Sequence, residues 1–183
     1  MRLLLCLLGI QFTLLAAPLN IPKQWPDVTG KVHPVAGQPV VLAWTGLGCP
    51  MSKLYRPRLA RLADEFVPKS VRFFLLNSNS QDAPADLKKL AADFDFPVVR
   101  DAGGQLARRL QVERTTEVLL LDAKGQVRYR GAVDDQFGFK ETEAGGVGAF
   151  RRPAPTQAYL KQAIVAVLAG RPVALVKTEP YGC

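Results

Sequence analysis

Cys49 lies in the stretch Trp44-Thr45-Gly46-Leu47-Gly48-Cys49-Pro50-Met51-Ser52-Lys53, after the apolar run Pro39 to Ala43 and before a helical pattern. A thiol therefore sits where a buried strand hands over to a helix. Pro50 suits the first helical position, which makes Cys49 the expected N-cap, facing unpaired backbone N–H groups and the positive end of the helix dipole. Both favour thiolate over thiol, so the chemistry on offer is nucleophilic sulfur. Lys53 and Arg56, four and seven residues along the same helical face, are expected to add positive charge near it.

The elements around this cysteine follow from the rest of the pattern. Val40 to Trp44 reads as a buried strand. It feeds a helix from about Met51 to Phe66, with Leu54, Leu59, Leu62 and Phe66 as an apolar stripe and a kink expected at Pro57. Val71 to Leu76 is a second buried strand, Ala83 to Phe94 a helix, Phe96 to Val99 a short strand and Gly104 to Leu110 a short helix. This alternation argues for an α/β fold with parallel pairing. Glu117 to Asp122 and Gln126 to Arg130 form an antiparallel hairpin around Ala123-Lys124-Gly125, with Val127 and Tyr129 facing one way and Arg128 and Arg130 the other. Thr156 to Leu168 is a closing amphipathic helix. Between them, residues 134–155 read as a long Gly-rich loop, of the size that is usually functional.

The 183 residues, 48% of them hydrophobic, suit one well-buried core, expected over residues 39–183 after an irregular lead-in at 18–38. Residues 1–17, with Arg2, an apolar stretch and Ala16-Ala17, match the layout of a secretory signal, so the mature protein is expected to be exported, periplasmic or secreted. An uncleaved membrane anchor is the alternative, and Cys6 would leave with a cleaved signal. The formal charge is +8, but Lys and Arg are scattered and do not alternate with aromatic residues, which argues for solubility rather than nucleic-acid binding.

Strand, Cys-bearing turn, kinked helix, β-α-β, hairpin and final helix is the order of the thioredoxin-like fold, a central mixed sheet with flanking helices. Gly48-Cys49-Pro50, Leu119-Leu120-Leu121-Asp122 before Gly125, Arg128 to Asp135, and Leu168-Ala169-Gly170-Arg171-Pro172-Val173 before Gly182-Cys183 resemble the exported single-cysteine redoxins. These are the peroxiredoxin-like members of the alkyl hydroperoxide reductase and thiol-specific antioxidant group. The resemblance implies that Cys49 carries the chemistry, at the first cysteine of a thioredoxin C-x-x-C and the peroxidatic cysteine of peroxiredoxins. Ser52 stands where thioredoxins have their second cysteine. It either donates a hydrogen bond to the Cys49 thiolate or helps satisfy the first turn of the helix. Leu42 and Gly46 occupy the Pro and Thr places of the peroxiredoxin motif, with Thr45 one residue out of register, so peroxide reduction is expected to be inefficient. Thr116 takes the place of the thioredoxin cis-proline and is expected to keep a trans peptide and face Cys49 with its hydroxyl. Arg114 is a candidate positive group nearby.

Cys183 is the last residue of the sequence, on a tail from Lys177 to Gly182 that is expected to be exposed and able to move. It is a candidate resolving thiol for Cys49, within one chain or between two, and a static bridge or no role are the alternatives. The catalytic set is thus Cys49, Ser52, Thr116 and Cys183, with no cofactor. Partners are a protein disulfide or thiol, or a hydroperoxide, with an external thiol reductant; no nucleic acid is expected, and membrane contact only through an uncleaved signal segment. Two other readings stay open. Cys49, Cys183 and His33, the single histidine, could hold Cu(I) as copper-handling thioredoxin-like proteins do with two cysteines and a distant histidine. Or the domain is a non-catalytic binding module, with Phe137, Phe139 and Phe150 on the long loop as its partner surface. Asp134 and Asp135 point in different directions and read as a loop start rather than an acid/base pair.

Overall fold

The computed structural model describes residues 21–183 apart from residue 144. The expected signal segment, Cys6 included, lies outside the described residues. Five strands form the central sheet: β3 (Val40–Trp44), β4 (Arg72–Asn77), β5 (Val98–Arg100), β6 (Val118–Leu121) and β7 (Val127–Gly131), in the order β5-β4-β3-β6-β7. β3 pairs parallel with β4 and antiparallel with β6, β5 runs parallel to β4, and β7 runs antiparallel to β6. β3 is central because it is apolar at every position and can be covered on both faces. Val41 and Ala43 point into one core with α1 (Pro50–Phe66), α2 (Pro84–Ala91) and α4 (Tyr159–Leu168). Val40, Leu42 and Trp44 point into the other, with the flank of α3 (Gln105–Arg109) and an N-terminal hairpin.

That hairpin, β1 (Gln24–Pro26) and β2 (Val32–Pro34), occupies the lead-in that the Pro-rich sequence marks as irregular. Trp25 anchors it, buried edge-on against Phe74 at 5.2 Å. Its turn is held by Asp27, which accepts from the Thr29 and Lys31 N–H groups and the Thr29 hydroxyl and pairs with His33 at 2.8 Å. Burial pulls the Asp27 carboxyl up, but these bonds together outweigh it and hold the group down at about 2.

Helix α1 runs unbroken through Pro57 and buries Ser52, Tyr55, Leu59, Ala63 and Phe66, leaving Leu54 45% exposed where the apolar stripe placed it inside. Helix α2 stops at Ala91, short of the expected Phe94, as the chain extends toward Pro97 and Phe94 packs on Phe96. Helix α4 begins at Tyr159 rather than Thr156, and just ahead of it the N–H groups of Thr156 and Gln157 donate to the Asp135 carboxylate. Asp134 turns the opposite way, to Tyr55 and Arg58, so the two adjacent carboxylates serve different elements.

Three expectations about the second half of the chain are corrected. Val127 and Tyr129 do not share a face. Leu120 pairs with Tyr129 and Leu121 with Val127, so Arg128 is the extra residue of a bulge that sends Tyr129 into one core and Val127 toward the other. The long loop at 134–155 contains a hairpin of its own, β8 (Phe137–Glu141) paired antiparallel with β9 (Val147–Arg151). The tail is not loose either. Arg130 N–H donates to Val176 O, Thr178 N–H to Arg130 O, and the Thr178 hydroxyl joins Tyr129 and Ala132. Pro180 is buried beyond this strap.

Gly131 permits the strap. Its φ is +138°, and a Cβ there would overlap the Thr178 carbonyl oxygen and hydroxyl. Gly131→Ala should cost about 2 kcal/mol or more in urea unfolding; a change within about 0.5 kcal/mol would show that the tail does not seat there. For Asp27, whose folded pKa lies below its ordinary 3.8, the stabilisation is present above that value and lost as pH falls toward 2. Asp27→Asn should therefore flatten the acid limb of the melting temperature against pH, and an unchanged limb would remove the Asp27 contribution.

Candidate active site

Strand β3 delivers Trp44 and Thr45 to the end of the sheet, and four residues on Cys49 caps α1 with extended φ, ψ of −75° and 119°, Pro50 following in the first turn. The intervening loop is fixed by buried polar groups. Leu47 N–H and the Asn77 side-chain amide both donate to Asp82 Oδ2, at 2.9 and 2.7 Å, and Asn77 also donates to Thr45 O at 3.1 Å. Ser52 is 1% exposed and its hydroxyl accepts from Gly46 N–H at 3.1 Å. The bond observed for Ser52 goes neither to the sulfur nor to the first turn of α1: it fixes the loop before Cys49.

The hydroxyl that faces the sulfur belongs to Thr115, not to Thr116. Thr115 Oγ1 lies 3.3 Å from Cys49 Sγ, whereas Thr116 Oγ1 donates to Tyr181 O at 3.0 Å. The two threonines are the central residues of a turn closed by Glu117 N–H to Arg114 O, and their side chains leave it toward different partners. Among the described residues every peptide is trans, in keeping with a threonine at the expected cis-proline place. The segment is held rigidly from behind. Buried Glu117 pairs with Arg130 at 2.8 Å and accepts Glu113 N–H, while Arg130 also donates to Leu110 O and Gln111 O.

Cys183 is joined to Cys49 as a disulfide, with Cα atoms 6.2 Å apart and a sequence separation of 134. Cys49 is 7% exposed and Cys183 is on the surface. Thr115 N–H donates to Cys183 O at 3.0 Å. Beside the disulfide opens a cavity of about 550 Å³, lined among others by Trp44, Asn79, Arg114 and Thr115. Arg114 is thus the cation at the site. Lys53 is exposed, and Arg56 faces Asp93 and Asp82; burial draws its pKa down against the pull of those two carboxylates. His33 is bound to Asp27 in the hairpin, and among the described residues no three His, Cys, Asp or Glu side chains gather as a metal site, so the Cu(I) set is not assembled.

Thr115, Asp82 and Asn77 are the site residues that sequence reasoning missed. Asn77 carries a signal, as a polar residue closing the apolar run Phe73 to Leu76; Asp82, two residues before Pro84, carries none.

Residues 28–147, well over half of the chain, match the Redoxin family. The chain belongs to the redoxin family. Among curated proteins none is significantly similar to this redoxin. Among solved structures, an uncharacterized conserved protein from Geobacillus kaustophilus is 25% identical, with a TM-score of 0.76 over 92% of the redoxin and 89% of that chain. A hypothetical protein from Sinorhizobium meliloti 1021 is 23% identical, TM-score 0.70, over 87% of each chain. A secreted Mycobacterium tuberculosis disulfide oxidoreductase homologous to E. coli DsbE is 17% identical, TM-score 0.54, over 78% of the redoxin and 94% of that chain. The fold of the redoxin is thioredoxin-like.

In the reduced redoxin the Thr115 hydroxyl would donate to a Cys49 thiolate, a bond that favours the charged form. Thr115→Val should slow alkylation of reduced Cys49 at mildly acidic pH by about tenfold, the size of one charged hydrogen bond. Thr116→Val, which removes a hydroxyl bonded to the tail and not to the sulfur, should change that rate little; equal effects would remove Thr115 from this role.

Proposed function

We propose that this redoxin is a thiol–disulfide oxidoreductase in which Cys49 is the attacking sulfur and Cys183 the resolving one. The supporting observation is the disulfide between a helix N-cap cysteine and a tail cysteine held in backbone register by Thr115. The Cys49 thiolate attacks one sulfur of a substrate disulfide, forming a mixed disulfide and expelling the other sulfur as a thiolate. The Cys183 thiolate then attacks Cys49 Sγ, the mixed disulfide breaks, and the second substrate thiolate leaves. The substrate disulfide is reduced to two thiols and the protein dithiol is oxidised to the Cys49–Cys183 bond. An external thiol reductant reverses that last oxidation.

The same pair can serve a hydroperoxide. Cys49 would cleave the O–O bond, becoming a sulfenic acid and releasing an alcohol or water, and Cys183 would displace the hydroxyl to close the disulfide. Thr45 does not line the cavity at Cys49, and no threonine stands at the peroxiredoxin place, so disulfide exchange is the main activity. The apolar segment of residues 3–15, and the secreted neighbour of the same fold, support work outside the cytoplasm, where disulfides persist.

The reduction potential of the Cys49–Cys183 pair tests this reading. A value between about −270 and −120 mV is expected for a redox-active pair, and one below about −300 mV would mark a structural bridge and favour a non-catalytic binding module. With thiol reductant present, Cys49→Ser should abolish reduction of insulin disulfides. Cys183→Ser should accumulate a Cys49 mixed disulfide visible by intact mass; unchanged turnover in Cys183→Ser would sink the resolving role.

A further inference from the structure

The last three residues lie across the active site as a ligand would. Thr115 N–H donates to Cys183 O and the Thr116 hydroxyl to Tyr181 O, both at 3.0 Å. Between them Gly182 packs against the Thr115 carbonyl so closely that a Cβ there would overlap its oxygen. The Tyr181 ring lies parallel to Phe137, 14° apart with centroids at 6.4 Å, and tilts onto Phe139 at 4.7 Å. Phe139, on β8, is 42% exposed, and the Arg114 guanidinium stands 5.6 Å from its ring centre. The chain is already fastened upstream, where residues 176–178 pair with β7, so the contacts of Tyr181 to Cys183 are those of a short segment presenting its sulfur to Cys49.

We propose that the strip from Thr115 to β8 is a substrate groove, and that the protein acts on polypeptide cysteines preceded by glycine and, one residue further back, by an aromatic residue. This rests on the redox reading above. When Cys49 attacks a substrate disulfide, the incoming sulfur must take the position that Cys183 Sγ holds in the oxidised protein. The substrate backbone then inherits the Thr115 and Thr116 donors. Its preceding residue meets the Thr115 carbonyl, where only glycine fits, and the residue before that meets Phe137 and Phe139. The tail is the intramolecular copy of that substrate, and it lifts away when the disulfide is reduced and a substrate enters.

The test uses the reduced full-length protein and short peptides whose cysteine carries thionitrobenzoate as a mixed disulfide. Attack by Cys49 on the peptide sulfur forms the protein–peptide disulfide and releases coloured thionitrobenzoate anion, which reads the rate. A Tyr-Gly-Cys peptide should react roughly three- to tenfold faster than Ala-Gly-Cys, the worth of an aromatic pair, and also faster than Tyr-Ala-Cys. Phe139→Ala should bring the Tyr-Gly-Cys to Ala-Gly-Cys ratio close to one. Equal rates for the three peptides, or a preference that survives Phe139→Ala, would overturn the groove. If free cysteine carrying thionitrobenzoate reacts as fast as Tyr-Gly-Cys, only the groove fails; if neither it nor any peptide reacts at Cys49, the redox reading fails with it.

Discussion

A disulfide demands that two Cα atoms approach to within about 4.4–6.8 Å, and the site is built around meeting that demand for residues 134 apart in sequence. One partner arrives by burial: β3 is apolar throughout, lies at the centre of the sheet, and so leads the chain to the Cys49 turn at the edge of the hydrophobic core. The other arrives by backbone pairing, first along β7 at residues 176–178 and then against Thr115 and Thr116. Neither route involves the sulfur atoms. The contacts that guide the tail to Cys49 are thus separate from the bond itself, as the proposed opening and closing of the pair would require.

The polar groups around the site serve the same end. The Asp82 carboxylate is 7% exposed and Glu117 4%, and charges so buried are tolerable only when paired or well hydrogen-bonded. Asp82 receives three donors, from Leu47, Asn77 and Asn79, and fixes the loop that ends in Cys49. Glu117 receives Arg130 and Glu113 N–H and fixes the turn that carries Thr115. Arg130 has a double task, since its backbone pairs with the tail while its side chain braces that turn. The two loops that meet at the sulfur are thus each tied to the sheet by a buried carboxylate, and the tail shares an anchor with one of them.

What the sequence disclosed follows the strength of its periodic signal. Apolar runs at Val40–Trp44, Phe73–Leu76 and Val118–Leu121, with a Cys-Pro step after the first, sufficed for the sheet, for α1 and for the position of Cys49. The bulge at Arg128 left no mark, because an extra residue in a strand changes register without changing composition. The hairpin β8–β9 was hidden by the glycines at 138, 145, 146 and 148, which read as loop although two of them lie within strands. Thr115 and Thr116 are identical in type and adjacent, so only the path of the tail decides which hydroxyl meets the sulfur. The tail, short and polar, owes its order to β7 and to Phe137 and Phe139, contacts far away in sequence that no local pattern carries.

The replacement of a second thiol in the turn by Ser52 has a physical consequence. In a C-x-x-C site the resolving sulfur is locked three residues along the same helix, whereas Ser52 here is spent on the Gly46 N–H and the sulfur proposed to resolve Cys49 stands on a tail. Cys183 is five residues beyond Thr178, a span of at most about 18 Å when extended, so it stays close to Cys49 even when detached, at the high effective concentration of a short tether. The tether also allows it to vacate the Thr115 edge, which a thiol fixed in α1 could not cover in the first place. In the proposed mechanism, resolution by a tail would couple the redox state of Cys49 to occupancy of the surface beside it: oxidised, the Tyr181 ring packs on Phe137 and Phe139, and reduced, the tail would be free to uncover that aromatic surface for another chain.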